Sequence, residues 1–125
     1  MAVIADTSAV VDYLDGRSSE SMDAAVMAQT LVLPPIVIAE ILSGSDTPWA
    51  RVAIIEFLLD FPMHEVTLDH WMSVGLLRRD LKRHGINVTI PDAHITQCAI
   101  DLDATLIARD KIFRLIAEHI PLRLA

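Results

Sequence analysis

Four carboxylates in this sequence are spaced in a way that could bind a divalent cation. Asp6 follows the apolar run AVIA, Asp110 comes just past the run TLIA, and Asp92 lies directly after a proline. Glu40 sits inside the otherwise apolar stretch PPIVIAEILSG. No basic residue adjoins Asp6, Glu40 or Asp92 in the sequence. If these acids meet in space, they repel one another, and such a cluster either raises its own pKa values or binds a divalent cation.

Each acid also has a purely structural alternative. Asp6 can cap a first helix, Asp92 is favourable at a helix N-terminus, and Asp110 can cap the helix that follows it. Ser8, and with it Thr7, can orient a metal-bound water or a phosphate oxygen, or can cap the first helix, and the sequence leaves both roles open. Capping does not explain why all four acids should approach the same edge of a sheet.

The remaining potential metal ligands are dispersed along the chain. The five histidines are scattered, and we expect His64, His70 and His84, near the ends of predicted elements, to lie at the surface. The single cysteine, Cys98, lies on an apolar stripe, which favours a buried structural thiol. A site built from carboxylates alone favours Mg²⁺ or Mn²⁺ over Zn²⁺.

Alternating strands and helices must position these acids. Short apolar runs predict strands at 2–5, 30–33, 63–66, 105–108 and 122–124. Helical spacing, prolines and capping residues predict helices at 8–16, 19–28, 34–44, 49–61, 68–84, 91–103 and 111–119. This alternation indicates an α/β fold with a parallel sheet covered on both faces. Ligands bind such sheets beyond the carboxyl ends of the strands, which is where the four acids are expected.

Composition limits the class of protein. The 125 residues, 53% of them hydrophobic, suit a single domain spanning 1–125. Mean hydropathy is +0.44, but the longest uncharged segment, 24–39, contains two prolines and is too short to cross a membrane. The N-terminus lacks the basic region of a signal peptide, so we expect a cytoplasmic protein.

Charge is distributed unevenly between the two halves of the chain. The net charge of −7 comes from two basic and eleven acidic residues in 1–70 (−9) and eight basic and six acidic residues in 71–125 (+2). A polyanionic ligand therefore needs a local basic patch or a metal ion. Two basic sets are candidates: Arg78, Arg79, Lys82 and Arg83 on one helix face, and Arg109, Lys111 and Arg114 around Asp110. For the first set, a solvated helix face and a nucleic-acid contact remain equally plausible.

Four motifs in order carry a family resemblance. The segments IADTSAVVDYL, PPIVIAEIL, IPDAHITQCAI and TLIARDKIF contain Asp6, Glu40, Asp92 and Asp110. With them the chain resembles the PIN-domain ribonucleases and, in length and motif order, the VapC-type toxins of toxin–antitoxin pairs. The resemblance covers essentially the whole chain.

The resemblance implies a three-layer sandwich with a short, mainly parallel sheet of four to five strands. It also implies a metal-dependent endoribonuclease that hydrolyses RNA phosphodiester bonds and forms a homodimer inhibited by a VapB-like antitoxin. Asp6, Glu40, Asp92 and Asp110 would hold Mg²⁺ or Mn²⁺, with Ser8 assisting. The sequence departs from the family at its last motif, where D-x-D-F is common but Asp110 is followed by Lys111 and Ile112. Ala108 also stands where Thr or Ser is common.

Other classes of protein fit less well. A haloacid-dehalogenase-type phosphatase needs D-x-D, but here Ser8 stands where the second Asp of that motif would be. A receiver domain needs an acidic pair and a late lysine, whereas Asp6 stands alone. A catalytically silent PIN-like binding module remains open. The apolar helix 49–61 indicates a homodimer or antitoxin interface, with a fully buried helix in a monomer as the alternative.

Overall fold

The computed structural model describes residues 1–125 as a four-stranded parallel sheet with seven helices around it. The strands are β1 (Val3–Ala5), β2 (Leu31–Val32), β3 (Thr105–Ile107) and β4 (Arg123–Leu124), in the order β2-β1-β3-β4. The helices are α1 (Thr7–Leu14), α2 (Glu20–Met27), α3 (Pro35–Ser43), α4 (Pro48–Leu59), α5 (Leu68–Arg83), α6 (Ile90–Asp101) and α7 (Ile112–Ala117).

The two central strands are buried on both faces. Val3 of β1 pairs with Leu31 of β2 on one side and with Thr105 of β3 on the other. Ile4 and Ala5 are both fully buried although consecutive strand residues point to opposite faces. Both faces of the sheet are therefore covered, which confirms the predicted three-layer α/β arrangement.

Local sequence signals explain where several helices begin and end. The hydroxyls of Ser19, Thr47 and Thr89 each accept a hydrogen bond from a backbone N–H in the first turn of α2, α4 and α6. Such capping satisfies a backbone donor that has no partner inside the helix. Gly85, at φ +79°, follows the end of α5 in a backbone conformation that favours glycine.

The strand predicted at 63–66 does not form. Only an isolated parallel bridge joins Leu33 to Met63. Its hydrogen bonds run from the Leu33 N–H to the Pro62 carbonyl and from the His64 N–H to the Leu33 carbonyl. The pairing stops there because α3 begins at Pro35, immediately after the bridge. The sheet consequently has four strands.

Helix α4 leaves most of its apolar side chains outside the core. Trp49 is 76% exposed and Leu59 is 74% exposed, whereas Leu58 is the only residue of the helix that is buried. The alternative of a fully buried helix is therefore wrong for this chain. None of the seven helices combines the length and the apolar composition needed to cross a bilayer.

Candidate active site

Asp6 lies at the carboxyl end of β1, where chain topology places it over the edge of the sheet. Its N–H donates to the Ile107 carbonyl at 2.9 Å and so continues the pairing of β1 with β3. Its carboxylate caps α1 by accepting from the Ala9 N–H at 2.8 Å, and it accepts from the Ser8 hydroxyl at 2.9 Å. Asp6 is only 4% exposed. The capping role therefore holds, and the same contacts fix the carboxylate in one orientation.

All four predicted acids line one cleft of about 370 Å³. Its wall consists of Asp6, Thr7, Ser8, Glu40, Asp92, Ile95, Arg109 and Asp110. The acids come from β1, α3, α6 and the segment after β3, which are brought together at one end of the sheet. The predicted convergence is thus present in the structure, while the role of each acid as a metal ligand stays a prediction.

Glu40 is exposed toward this cleft and is not a buried charge. Val37 and Ile41 carry the buried side of α3, and Glu40 lies on the remaining face. The Thr7 hydroxyl donates to Glu40 Oε1 at 2.7 Å. This bond links the first residue of α1 to the second turn of α3, so it holds Glu40 beside Asp6.

Asp92 lies half-buried in the first turn of α6. Its N–H donates to the Thr89 hydroxyl at 3.2 Å. Burial raises the pKa of Asp92, and the nearby carboxylates of Asp110, Glu40 and Asp6 raise it further. Burial also raises the pKa of Asp6, against the lowering effect of its hydrogen bonds. The acids therefore repel one another without a compensating cation.

Asp110 is an exposed member of the cleft. It follows β3, and its Oδ1 accepts from the Ile112 N–H at 3.0 Å. Asp110 therefore contacts the first residue of α7, but Lys111 occupies the N-cap position and its side chain makes no capping hydrogen bond. Asp110 also faces the cleft.

The basic residue nearest the acids is already paired. Arg109 Nη1 lies 2.5 Å from Asp12 Oδ2, and Arg17 Nη2 lies 3.3 Å from the other oxygen of Asp12. Asp12 is only 8% exposed. Arg109 is paired with Asp12 and forms no ion pair with the four acids, so the cleft keeps its excess of negative charge, although the Arg109 side chain is still 66% exposed.

The donor set of the cleft suits a hard divalent cation. Its side-chain oxygen donors are carboxylates and hydroxyls, and no imidazole or thiol lines it. Oxygen donors of this kind are preferred by Mg²⁺ and Mn²⁺. The residues present therefore fit the metal that the sequence predicts.

A comparison with known families decides the classification. The family model of the PIN domain matches residues 3–119. The chain belongs to the PIN-domain family. A comparison with curated protein sequences found no match.

Solved structures share the fold of this PIN domain. The crystal structure of VapBC2 from Rickettsia felis, bound to a DNA fragment from its promoter, contains a chain with 20% identity and a TM-score of 0.81 that covers 100% of this chain and 98% of its own. A chain of VapBC-1 from nontypeable Haemophilus influenzae has 23% identity and a TM-score of 0.78, and the match covers 100% of this chain and 97% of that chain. A chain of VapBC-5 from Mycobacterium tuberculosis, described as a member of the VapBC family of toxin–antitoxin systems, has 21% identity and a TM-score of 0.71. That match covers 99% of this chain and 98% of the other.

A second polar cluster lies away from the cleft of this PIN domain, and sequence reasoning missed it. His70 and His94 are both buried, although His70 was expected at the surface. Cys98 is buried as predicted, and burial raises the pKa of its thiol to about 12, which favours the protonated thiol. The spacing of His94 and Cys98 on one helix face was the only available sequence signal.

Proposed function

We propose that this PIN domain is an endoribonuclease that depends on Mg²⁺ or Mn²⁺ and hydrolyses RNA phosphodiester bonds. We further propose that it is the toxin of a VapBC-type toxin–antitoxin pair and acts in the cytoplasm. The observation that carries the proposal is the convergence of Asp6, Glu40, Asp92 and Asp110 in one cleft, where the neighbouring Arg109 is paired with Asp12 and not with these acids. The likeness to chains of VapBC structures supports the toxin assignment.

The four carboxylates would hold the cation, with Asp6 and Asp92 deepest in the cleft. When bound, a divalent cation lowers the pKa of a coordinated water and neutralises charge that develops on the phosphate. The chain itself supplies position. Ser8 keeps both oxygens of Asp6 in place, and Thr7 does the same for Glu40. Arg109, exposed at the rim, is placed to contact a phosphate of the RNA.

Removing the cation or one of its ligands tests the nuclease assignment. Purified protein should cleave RNA in Mg²⁺ or Mn²⁺, and a chelator should stop cleavage until the cation is restored. Asp6→Asn should abolish cleavage with the fold intact, because asparagine can still cap α1. Folded wild-type protein that never cleaves RNA would favour the alternative of a catalytically silent PIN-like binding module.

We propose that the exposed apolar helix surfaces bind the partners of this protein. On α4 these residues are Trp49, Val52, Ile55 and Leu59, and on α5 they are Leu68, Met72 and Leu76. Exposed apolar groups of this size indicate a protein interface. The partners would be a second copy of the chain and a VapB-like antitoxin. Sedimentation that shows a monomer at all concentrations would contradict the homodimer.

Expression in growing bacteria tests the toxin assignment separately from the chemistry. Induction of the wild-type chain should arrest growth, and induction of Asp92→Asn should not. Mapping the new RNA ends after induction would identify the target from the positions of the cuts. The expected products carry 5′-phosphate and 3′-hydroxyl ends. An enzyme that cleaves RNA in vitro without affecting growth would keep the nuclease assignment and contradict the toxin assignment.

A further inference from the structure

Three side chains that carry nitrogen or sulfur ligand atoms lie close together beside α6 and the start of α5. One ligand atom each from His64, His70 and Cys98 lies within 4.8 Å of the other two. His70 and Cys98 are buried, and His64 is partly exposed in the segment before α5. None of the three lines the carboxylate cleft. The group is therefore a separate feature of the molecule.

The orientation of His70 is fixed from outside the group. His70 Nδ1 lies 2.7 Å from Asp101 Oδ2, and the His70 side chain is 3% exposed. Asp101 also accepts from the Gln97 amide at 2.8 Å, so the carboxylate is itself held. In the tautomer that carries its proton on Nδ1, His70 donates to Asp101, and the lone pair on Nε2 can accept a hydrogen bond or bind a metal ion. Nε2 faces Cys98 Sγ at 4.0 Å. A carboxylate behind an imidazole in this way is the usual support of a metal-binding histidine.

The distance between the ligand atoms of His70 and Cys98 is close to that in a tetrahedral metal site. Tetrahedral Zn²⁺ places a nitrogen and a sulfur ligand about 3.6 Å apart, as follows from Zn–N and Zn–S bonds of about 2.1 and 2.3 Å. The 4.0 Å between His70 and Cys98 exceeds this by a few tenths of an ångström. His64 lies outside the helices and is partly exposed, so rotation of its side chain can close the remaining gap.

His94 is the neighbour of this group. Its Nδ1 lies 2.7 Å from His70 Nε2, a hydrogen-bond distance shorter than the roughly 3.4 Å between two nitrogen ligands of one tetrahedral Zn²⁺. The ring is stacked on Trp71, with centroids 4.6 Å apart and planes at 9°. Stacking restrains His94, so it is better suited to holding Nε2 in the metal-free protein. A bound metal ion would replace His94 as the partner of the His70 Nε2 lone pair.

We propose that His64, His70 and Cys98 form a second metal site, selective for Zn²⁺ over Mg²⁺ and distinct from the carboxylate cleft. Imidazole and thiolate donors favour Zn²⁺. Cys98 binds as the thiolate, so its proton is released to solvent when the metal binds. The ion would fasten the segment before α5, and α5 itself, to α6. Since α6 also carries Asp92, the second site would stabilise the helix that presents a residue of the first.

Cobalt gives a direct readout that is independent of nuclease activity. The full chain titrated with Co²⁺ should develop a thiolate-to-metal charge-transfer band in the near ultraviolet that saturates at one equivalent and disappears when Zn²⁺ is added. Cys98→Ser should lose the band. His64→Ala should weaken Zn²⁺ binding by more than the 10–100-fold typical for loss of an outer partner, and Asp101→Asn should fall within that range. Asp6→Asn should keep the band, because it alters only the carboxylate cleft.

A matched control and a safe variant keep the test decisive. His119→Ala removes an exposed histidine whose ring lies 5.0 Å from that of His84 and outside the proposed ligand group, so it should leave both band and affinity unchanged. Should buried Cys98→Ser fail to fold, the partly exposed His64→Ala decides the matter. The proposal is overturned if the folded wild-type chain gives no thiolate band. It is also overturned if His64→Ala binds Zn²⁺ as tightly as wild type, or if the control variant His119→Ala loses Zn²⁺ binding.

Discussion

Asp92→Asn should raise the stability of the metal-free protein at neutral pH. Burial and the carboxylates of Asp110, Glu40 and Asp6 raise the pKa of Asp92 above its unfolded value. The charged form is therefore disfavoured in the folded chain, and its ionisation costs stability as the pH rises from the unfolded pKa to the folded one. Asparagine removes that cost. The gain should vanish in acid below the unfolded pKa, where Asp92 is protonated in both states.

The opposite sign is expected if Asp92 only favours the start of its helix. An acid in a first turn contributes about 0.3–1 kcal/mol through the helix dipole. At roughly 4 °C per kcal/mol for a chain of this length, its loss would lower Tm by about 1–4 °C. Asp69, exposed in the first turn of α5, is the matched control, and Asp69→Asn should show this decrease.

Added cation should make the wild type more stable than Asp92→Asn, which reverses the order expected without metal. At 100 times its Kd, Mg²⁺ or Mn²⁺ stabilises the wild type by about 2.7 kcal/mol, or roughly 10 °C in Tm. Asp92→Asn should lose most of that shift, and Asp69→Asn should keep all of it. Thermal unfolding followed by circular dichroism, with and without cation, measures both effects. If Asp92→Asn lowers Tm without metal and shifts with metal as wild type does, the reasoning about the acid cluster is refuted.

Three further substitutions separate stability from chemistry. Thr89→Ala should lower the free energy of unfolding by about 1 kcal/mol, because it removes the cap of α6, as measured by urea unfolding. Thr89→Ser should keep the cap and the wild-type stability. An equal loss in both variants would show that the hydroxyl is not the cause. Arg109→Ala should change stability by less than about 1 kcal/mol because the side chain is two-thirds exposed, yet slow RNA cleavage, and an unchanged rate would remove Arg109 from phosphate binding. Phe113→Ala, at a position 1% exposed, should cost about 3–5 kcal/mol in the same unfolding assay, and a cost below 1 kcal/mol would place this ring outside the core.

The acid cleft could be anticipated because its residues sit at positions that local rules define. Asp6 ends a strand, Asp92 follows the proline of a helix start, and Asp110 follows another strand. The carboxyl ends of parallel strands meet at one edge, so order along the chain was enough to bring these acids together. The same reasoning gave the parallel α/β sheet.

Contacts that depend on tertiary packing could not be anticipated. Arg109 pairs with Asp12, which is 97 positions away, and His70 contacts Asp101 and His94 from another helix. Neither contact leaves a periodic signal in the sequence. The absent strand at 63–66 has a similar cause, since its apolar pattern is acceptable for a strand but its neighbour turns into α3 after one bridge.

The most direct test follows Mn²⁺ binding and RNA cleavage in the same samples. Electron paramagnetic resonance reports free Mn²⁺, and the cleavage rate is measured at each point of the titration. The account predicts that binding and cleavage rise together in the wild type, and that Asp6→Asn and Asp92→Asn, folded by circular dichroism, lose both. Full cleavage in either variant, or cleavage by the wild type in the presence of excess chelator, would contradict the claim that these carboxylates hold the cation that cuts RNA.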